Sequence, residues 1–356
     1  MYLFITVFVL LISVAVWVVV SLIAKNMAWK VFRIRFILIS VFIAVGYVGL
    51  RFFIGREFPD VARWMNNFMG FLTLAFCFSL IYWCVFLLLK LAGKQRWLEG
   101  KHIVLVLAAI VSIFSALGSY NYHKDIAVEE FTITSKKITK SYRFVQISDI
   151  QYGTSTRQEM DRILDLAYQQ NADFIVFTGD LVDFNYYRFE DFEKLAASPV
   201  PIYFERGNHE FYHHPKRLLS YLKKLAPLEV LINRSVNFEE IQIIGLDFNR
   251  APNNVEQQLQ RIKVDPNQLS ILLYHEPRDV EVAASYGIDI LLYGHTHAGQ
   301  MWPYTWVVDW MYKYSDGVFK VDDSFVYTSD GASLWGPRMR LGSQNEIVVF
   351  NVIPKR

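Results

Sequence analysis

The 356-residue sequence predicts an α/β domain in its C-terminal part, preceded by an all-α region of four apolar helices. Two observations carry this prediction. Hydrophobic residues make up 53% of the chain, and they are concentrated in its first 120 positions. Beyond residue 140, short apolar runs alternate with stretches of helical periodicity, a pattern typical of a sheet covered by helices. We therefore treat the chain as two regions, 1–120 and 141–356, joined by a polar linker at 121–140.

Four apolar stretches in the first region each approach the roughly 20 residues that a helix needs to cross the hydrocarbon core of a membrane. They cover residues 2–24, 36–54, 68–89 and 102–120. The first stretch has no basic segment before it and no clear cleavage site of small residues, so we interpret it as a retained helix rather than a signal peptide. The alternative is the buried helices of a soluble core, which four apolar segments in series disfavour. Because the stretches contain no acidic residue, we interpret them as an anchor.

Basic residues in the short loops predict the orientation of these helices. The loops after the first and third helices each carry four basic residues, the latter with the acidic Glu99, whereas the middle loop and its border carry Arg51, Arg56 and Arg63 together with Glu57 and Asp60. Since basic loops stay in the cytoplasm, we expect the N-terminus and everything after residue 120 to lie outside it. Both cysteines, Cys77 and Cys84, fall in the third apolar stretch, so the second region is predicted to have no disulfide. A net charge of +2 without a basic, aromatic-interleaved stripe predicts no nucleic-acid partner.

The apolar runs of the second region are predicted to be β-strands, because each is short and bounded by turn residues. They cover residues 142–148, 172–179, 201–207, 241–248, 269–275, 288–294, 325–329 and 347–353, with one further candidate strand at 130–135 in the linker. Helical stretches lie between several of them, at 157–170, 216–226 and 277–286. This alternation predicts one α/β domain with a more β-rich C-terminal end.

Polar residues that can do chemistry follow five of these strands. In chain order they are Asp149 and Gln151, then Gly179-Asp180, then the Gly-Asn-His-Glu motif at 207–210, then His275, then the Gly-His-Thr-His motif at 294–297. Open α/β sheets place their sites at the carboxyl ends of strands. Each piece alone has an ordinary alternative as a turn or a hydrogen-bonded structural residue. The ordered set predicts one shared site, and carboxylate, carboxamide and imidazole ligands without a thiolate indicate Mn²⁺, Fe or Zn²⁺.

This ordered set resembles the calcineurin-like metallophosphoesterase superfamily, whose motifs read D-x-H, GD, GNH[DE], H and GHxH. The resemblance spans about residues 141–356, and the segments 294–300 and 330–352 resemble more narrowly the bacterial membrane-anchored metallophosphoesterases. It implies a four-layer α/β/β/α sandwich and an enzyme that hydrolyses a phosphate ester or pyrophosphate bond. It also implies a bacterial source, so together with the apolar stretches and the basic loops we expect a multi-pass protein of the cytoplasmic (inner) membrane of a bacterium, with an extracytoplasmic catalytic domain.

The resemblance implies a role for each site residue. Asp180 would bridge two divalent metal ions, for which we expect Mn²⁺ first and Zn²⁺ or Fe as alternatives. One ion would also be held by Asp149, Gln151 and His297, and the other by Asn208, His275 and His295. Such ions lower the pKa of a bridging water and so provide a hydroxide for in-line attack on phosphorus.

His209 would not bind metal. By resemblance it would stabilise the transition state and protonate the leaving oxygen, with Glu210 or a nearby Asp such as Asp183 orienting its ring. Gln151 departs from the family pattern, which usually has His there, so we expect a weaker metal site or a preference shifted towards Mn²⁺. The D-x-Q motif is also seen in the branch that includes manganese-dependent ADP-ribose and CDP-alcohol pyrophosphatases. Since every other ligand position is filled, we predict an active site.

Aromatic residues suggest the substrate class. The segment 302–319 is rich in Trp and Tyr, which are typical of membrane interfaces and of pockets for amphipathic ligands, although packing of a sheet is the alternative. A second aromatic group lies at 184–189 and 211–215, directly after the Gly-Asp and Gly-Asn-His-Glu motifs. Its His213 and His214 either line the substrate entrance or lie on the surface without a role. Together with the anchor, these features predict a phosphorylated lipid, a cell-envelope compound or a nucleotide-linked substrate. A catalytically weak binding or regulatory module is the alternative; a transporter would need polar features within the helices, and we see none.

Overall fold

The computed structural model describes residues 14, 16–26, 58–183, 187–212 and 215–355. The chain divides into two compact units. The helical unit comprises Met1–His123 together with Gly336–Leu341, and the α/β unit comprises Lys124–Trp335 together with Gly342–Arg356.

Among the residues that the structure describes, the helical unit contains a short apolar helix and two long ones: α1 (Val16–Asn26), α2 (Pro59–Leu91) and α3 (Lys101–His123). Within α2 and α3, Asp60–Leu91 and Lys101–His123 are long and apolar enough to cross a membrane. They contain the predicted helices 68–89 and 102–120. The predicted helix 36–54 and much of 2–24 lie outside the described residues, so the structure supplies two of the four helices that we predicted at spanning length.

Polar contacts tie the end of α1 to its neighbours. The Asn26 amide donates to the Tyr82 hydroxyl at 3.0 Å, and its Oδ1 accepts from the backbone of Gly100 at 3.1 Å. The Lys25 ammonium lies 3.3 Å from the centre of the Phe86 ring, a cation–π contact. These contacts hold the three helices at one end of the unit.

The segment Gly336–Leu341 packs between α2 and α3. A Cβ at Gly70 would lie 2.8 Å from the Met339 sulfur, so a glycine on α2 allows the segment to come close. The backbone of Arg340 donates to the Gly118 carbonyl at 2.9 Å, and Asn121 donates back to the Arg340 carbonyl at 3.1 Å. This part of the C-terminal region therefore belongs structurally to the helices.

The α/β unit contains twelve strands and seven α-helices among the residues that the structure describes. The strands are β1 (Ala127–Ser135), β2 (Tyr142–Ile147), β3 (Phe174–Thr178), β4 (Ile202–Glu205), β5 (Leu228–Val230), β6 (Arg234–Phe238), β7 (Ile241–Gly245), β8 (Leu269–Leu273), β9 (Ile290–Tyr293), β10 (Gly317–Val321), β11 (Ser324–Thr328) and β12 (Glu346–Pro354). The helices are α4 (Arg157–Tyr168), α5 (Glu193–Ala196), α6 (Asn208–Tyr212), α7 (Pro215–Leu222), α8 (Asn254–Leu259), α9 (Val280–Ser285) and α10 (Tyr304–Met311).

The strands form two six-stranded mixed sheets. The first has the order β1-β12-β2-β3-β4-β5, and the second has the order β10-β11-β9-β8-β7-β6. Strands β2, β3, β4 and β5 are parallel neighbours, as are β7, β8, β9 and β11. Within each sheet the carboxyl ends of the parallel strands therefore meet at one edge.

Three hydrophobic cores stack the layers in the order helices, sheet, sheet, helices. The core between the sheets includes Phe144, whose ring stacks on Phe174 and Phe350 with centroids 5.0 and 4.9 Å away. The outer core of the first sheet is closed by α4, α5 and α7, and that of the second sheet by α8 and α9. Each sheet is thus covered on both faces, which explains why its strands read as continuous apolar runs. The predicted α/β class is confirmed.

The polar linker that we predicted at 121–140 is largely structured. It contains the end of α3 and the nine-residue strand β1, which pairs in parallel with β12 along its whole length. Residues of β1 alternate between half-buried and exposed, because the strand lies at the edge of the sheet. Glu129 is half-buried and Glu130 is exposed. Because such polar residues occur along the strand, its sequence resembles that of a linker.

Candidate metal centre

The predicted site residues lie in the loops after β2, β3, β4, β8 and β9. Several of them adopt left-handed backbone conformations that are uncommon outside glycine: Asp149 (φ 57°), Gln151 (φ 53°), Asp180 (φ 54°), His295 (φ 72°) and His297 (φ 51°). Strain of this kind persists only where the surroundings enforce it, and it is concentrated at functional sites. These unusual backbone conformations all occur in loops at strand ends, which is consistent with a shared functional site.

Asp180, His275 and His295 form the centre of the site. Their potential ligand atoms all lie within 4.8 Å of one another. His275 Nε2 is 3.2 Å from the Asp180 Oδ2 atom, 2.9 Å from Asn208 Oδ1 and 3.2 Å from His295 Nδ1. Four side chains from four loops thus converge, as the motif order predicts.

Asp149, Gln151 and His297 lie on the other side of Asp180. His297 Nε2 is 3.4 Å from Asp149 Oδ1, and the Gln151 amide donates to Asp180 Oδ2 at 2.7 Å. Both Asp149 Oδ1 and Gln151 Oε1 are buried and lack a hydrogen-bond partner. Buried acceptors without donors are rare, and a cation satisfies both. The donor set consequently fits divalent metal ions.

Neighbouring groups orient the candidate ligands. His275 Nδ1 lies 2.8 Å from the Thr178 carbonyl, an arrangement that places a proton on Nδ1 and directs Nε2 towards Asn208 and Asp180, where Nε2 could bind metal after losing its own proton. Asp149 Oδ2 accepts from the Ser148 hydroxyl at 2.5 Å and from the His295 backbone at 3.0 Å. These bonds occupy one carboxylate oxygen of Asp149 and leave the other directed at the site.

A glycine is required at position 207 by close packing. A Cβ there would collide with the Asp180 carboxylate and with the Asp180 backbone nitrogen, 2.6 Å away. The Gly of the Gly-Asn-His-Glu motif therefore lets the loop after β4 approach the loop after β3.

His209 lies beside the cluster with its ring partly exposed. Its Nδ1 is 3.0 Å from the Asp183 carbonyl and 3.1 Å from Asp183 Oδ1, while its Nε2 is 3.8 Å from Asp180 Oδ2. Burial acts to lower the pKa of His209, but the negative charges of Asp180 and Asp183 outweigh it and raise this pKa to about 10. Without a bound cation, the ring is protonated at neutral pH.

The hydrogen bonds of the Glu210 carboxylate go to backbone groups and not to the His209 ring, which was the role that we considered for it. Its carboxylate accepts from three backbone N–H groups: Gly207 at 2.8 Å, Asp180 at 3.0 Å and Val182 at 3.0 Å. Of the two carboxylates considered for orienting His209, Asp183 occupies that position. The amides of Asp180 and Val182 lie in the loop after β3, and that of Gly207 lies in the loop after β4. By accepting from all three, the Glu210 side chain joins these two loops.

Charges within the cluster shift the remaining pKa values in opposite directions. Burial acts to raise the pKa of Asp180, but the imidazoles of His275 and His209 outweigh it, so the carboxyl stays ionised. Burial and the positive charge of His275 lower the pKa of His295 well below its usual value. A neutral imidazole beside an ionised carboxylate is the state that binds a divalent cation.

Sequence reasoning missed a second group of residues next to His295. Glu276 is buried, accepts from the Tyr312 hydroxyl at 2.9 Å, and has Oε1 3.9 Å from His295 Nε2. Arg250 and Arg278 face the same carboxylate. Their signal in the sequence was slight: Glu276 directly follows a candidate ligand, whereas Arg250 belongs to a loop with no motif. His213 and His214 lie outside the described residues, as do residues 184–186.

Comparison with known proteins identifies the family of the α/β unit. Residues 142–299 match the family model of the calcineurin-like phosphoesterases. The chain is 29% identical over 299 residues to an uncharacterized metallophosphoesterase of Campylobacter jejuni, covering 80% of this chain and 78% of that protein. It is 29% identical to an uncharacterized metallophosphoesterase of Helicobacter pylori, covering 64% of each chain.

A vertebrate relative extends over nearly the whole sequence. A protein of Danio rerio described as a transmembrane protein with metallophosphoesterase domain is 27% identical over 364 residues, covering 94% of this chain and 82% of that protein. The matched region in the family model begins with β2 and ends just after the Gly-His-Thr-His motif. The family match over residues 142–299 and these relatives support placing the α/β unit in the calcineurin-like metallophosphoesterase superfamily.

Proposed function

We propose that this protein is a metal-dependent phosphoric ester hydrolase anchored in a membrane. The observation that carries the proposal is the convergence of Asp180, His275 and His295 within 4.8 Å, beside the unpaired buried oxygens of Asp149 and Gln151. Membership of the superfamily supports phosphoester hydrolysis.

Two groups of side chains would hold the metal ions. Asp180 lies between them, with Asp149, Gln151 and His297 on one side and Asn208, His275 and His295 on the other. Divalent cations bound there supply Lewis-acid chemistry, which neutralises charge on phosphate oxygens and makes water a stronger nucleophile. We infer Mn²⁺ in preference to Zn²⁺ or Fe, because a neutral carboxamide oxygen at Gln151 suits a harder cation than an imidazole does.

His209 acts on the leaving group. Its Nδ1 is fixed by Asp183, so its Nε2 faces the cluster, 3.8 Å from Asp180 Oδ2. A protonated ring at this position donates a hydrogen bond to the developing negative charge and a proton to the departing oxygen. Glu210 contributes by holding the loops that carry Asp180 and Asn208.

The helices and an exposed aromatic helix support a membrane location. Helices α2 and α3 contain segments of spanning length, and two relatives are described as transmembrane proteins. On α10, Trp306 and Trp310 are 67% and 86% exposed, which is unusual for Trp in a domain surrounded by water alone. We propose that α10 lies at the lipid interface and that the substrate is a lipid-linked, cell-envelope or nucleotide-linked phosphate.

The basic loops add the remaining parts of the proposal. We propose a multi-pass protein of the cytoplasmic membrane of a bacterium, with the α/β unit outside the cytoplasm, which the excess of basic residues in two loops supports. Protease digestion of intact spheroplasts tests the orientation. Cleavage of the α/β unit without lysis is expected, whereas protection until lysis places the unit in the cytoplasm.

The test of activity is hydrolysis of bis-p-nitrophenyl phosphate and p-nitrophenyl phosphate by the detergent-purified protein after chelation and re-addition of Mn²⁺, Zn²⁺ or Mg²⁺. We expect Mn²⁺ to restore turnover best, and the variants His209→Ala and Asp180→Ala to lose it. The exposed His102 lies on α3, outside the α/β unit, so His102→Ala is the matched control. Full turnover by Asp180→Ala contradicts the proposal.

A binding or regulatory module is the second candidate, and Gln151 is the observation that favours it. A weakened ligand at one metal position is the first step by which such a centre would lose its activity. Metal binding detected by calorimetry without turnover of any substrate under any metal would support this candidate over the hydrolase.

A further inference from the structure

A pair of arginines lies beside the candidate metal centre, and the mechanism above does not use it. Arg250 follows β7, and Arg278 lies between β8 and α9. Both guanidinium groups face one buried carboxylate, that of Glu276. The nearest atoms are Arg250 Nε, 3.6 Å from Glu276 Oε2, and Arg278 Nε, 3.8 Å from Glu276 Oε1.

Glu276 connects these arginines to the metal centre. Its side chain is 4% exposed, and its Oε1 lies 3.9 Å from Nε2 of the candidate ligand His295. The Tyr312 hydroxyl donates to the same oxygen at 2.9 Å, whereas Oε2 has no hydrogen-bond partner. The carboxylate is therefore fixed between the imidazole of a ligand and the two guanidinium groups.

The arginines lie within ion-pair distance of Glu276 through their Nε atoms and are about half exposed. Their side chains are 53% exposed for Arg250 and 46% exposed for Arg278, and at these distances neither forms a bidentate pair with Glu276. The Arg250 guanidinium also lies 5.8 Å from the centre of the Phe248 ring, which packs edge-on against His275. Ion pairing, and for Arg250 the Phe248 ring, position two guanidinium groups that remain partly exposed to solvent and can therefore bind a further anion.

The local charge balance points to an anion. Two guanidinium groups share one carboxylate, which leaves one positive charge in excess at the border of a site that handles phosphate. Arginine binds phosphate oxygens through two parallel N–H groups, with greater strength than a neutral donor provides. A phosphate linked directly to the one being hydrolysed would lie next to the metal ligands, where these groups are.

We propose that Arg250 and Arg278 bind a second phosphate of the substrate, so that the protein acts on pyrophosphate-linked compounds in preference to simple monoesters. This inference rests on the proposed hydrolase function and specifies its substrate class. The same chemistry is offered by a lipid-linked pyrophosphate and by a soluble nucleotide pyrophosphate, which the test separates.

The first arm compares substrates with and without the second phosphate. The protein, with its metals restored, is assayed with CDP-diacylglycerol, with ADP-ribose and with bis-p-nitrophenyl phosphate. For Arg250→Gln and Arg278→Gln, we expect kcat/KM on a pyrophosphate substrate to fall by about 10- to 100-fold, and to fall at least about 10-fold more than on bis-p-nitrophenyl phosphate. Arg261→Gln, at an exposed arginine after α8, is the matched control.

The outcomes separate this inference from the proposed function. If the protein cleaves bis-p-nitrophenyl phosphate but neither pyrophosphate compound, the inference is overturned and the proposed hydrolase function stands. The same holds if the arginine variants lose kcat/KM equally on all substrates. Loss confined to CDP-diacylglycerol or to ADP-ribose assigns the lipid or the nucleotide source.

The second arm does not depend on catalysis. Binding of CDP-diacylglycerol and ADP-ribose is measured in the presence of a chelator, where hydrolysis is stopped. We expect Kd for at least one compound to rise about 10-fold in each arginine variant relative to Arg261→Gln. Equal affinity of wild type and both variants overturns the inference even for a protein without turnover.

Discussion

Replacement of Glu210 by Gln distinguishes a structural carboxylate from a catalytic one. The side chain is fully buried and accepts from the amides of Asp180, Val182 and Gly207 at 2.8 to 3.0 Å. In Glu210→Gln one oxygen becomes an NH₂ group, which cannot accept. With Oε2 retained as the oxygen, the bonds from Asp180 and Gly207 survive, and the Val182 N–H faces another donor.

The size of the effect follows from these three bonds. A buried N–H left without an acceptor costs about 1 to 3 kcal/mol, and the two remaining bonds lose the charge of their acceptor, which removes roughly a further 1 to 2 kcal/mol in total. We therefore expect a destabilisation of about 2 to 5 kcal/mol. For a domain of this size, each kcal/mol lowers Tm by about 2 to 4 °C, so Tm should fall by about 4 to 20 °C.

The assay is thermal unfolding of the detergent-purified protein followed by intrinsic fluorescence. Burial and the charge of Asp180 raise the pKa of Glu210 to about 7, so the measurement is made at pH 8, where the carboxylate is ionised. Glu190→Gln, at an exposed glutamate, is the control. If Glu210→Gln has a Tm within about 1 °C of wild type but has lost turnover, Glu210 has a catalytic role and the structural role is refuted.

Three further predictions concern Glu346, Asp183 and Gly207. Burial and Asp330 raise the pKa of the buried Glu346 to about 7. Because the folded state keeps this proton above the ordinary pKa of about 4.5, stability should fall by roughly 3 kcal/mol as pH rises from about 4.5 to 7, and denaturant titrations of Glu346→Gln should lack this decline. Asp183→Asn should lower kcat by about 10- to 100-fold with little change in KM, because His209 loses the negative charge that keeps its ring protonated and oriented. An unaltered kcat would exclude this role of Asp183. Gly207→Ala should abolish metal binding in calorimetry, because its Cβ overlaps the Asp180 carboxylate; wild-type affinity would mean that the loop yields without strain.

The sequence predicted those strands that are buried on both faces. Strands β2, β3, β7, β8, β9 and β12 read as continuous apolar runs because helices cover both sheets. Strand β6 was missed because it lies at a sheet edge and carries Arg234 and Asn237 outwards. Helix α8 was missed because a six-residue helix with polar residues on most positions has too few turns to display its period.

The candidate ligands were predictable because each directly follows a strand, and the sheet brings strand ends together. The partner of His209 was not predictable in the same way. Glu210 is adjacent in sequence, but on the short helix α6 it faces backbone amides, whereas Asp183 reaches the ring from the loop after β3. Which carboxylate meets an imidazole depends on loop geometry, and loop geometry is set by contacts between segments that are distant in sequence.

Gln151 shows how the site accommodates the departure that the sequence revealed. Its amide nitrogen donates to Asp180 Oδ2 at 2.7 Å. Its Oε1 remains buried and unpaired, in position to accept a cation. The carboxamide thus offers two atoms, a donor that orients the Asp180 carboxylate and an acceptor that could bind a metal ion. In the proposed hydrolase, a centre built in this way keeps its set of oxygen and nitrogen donors, so we expect Gln151 to alter the metal preference rather than to abolish activity.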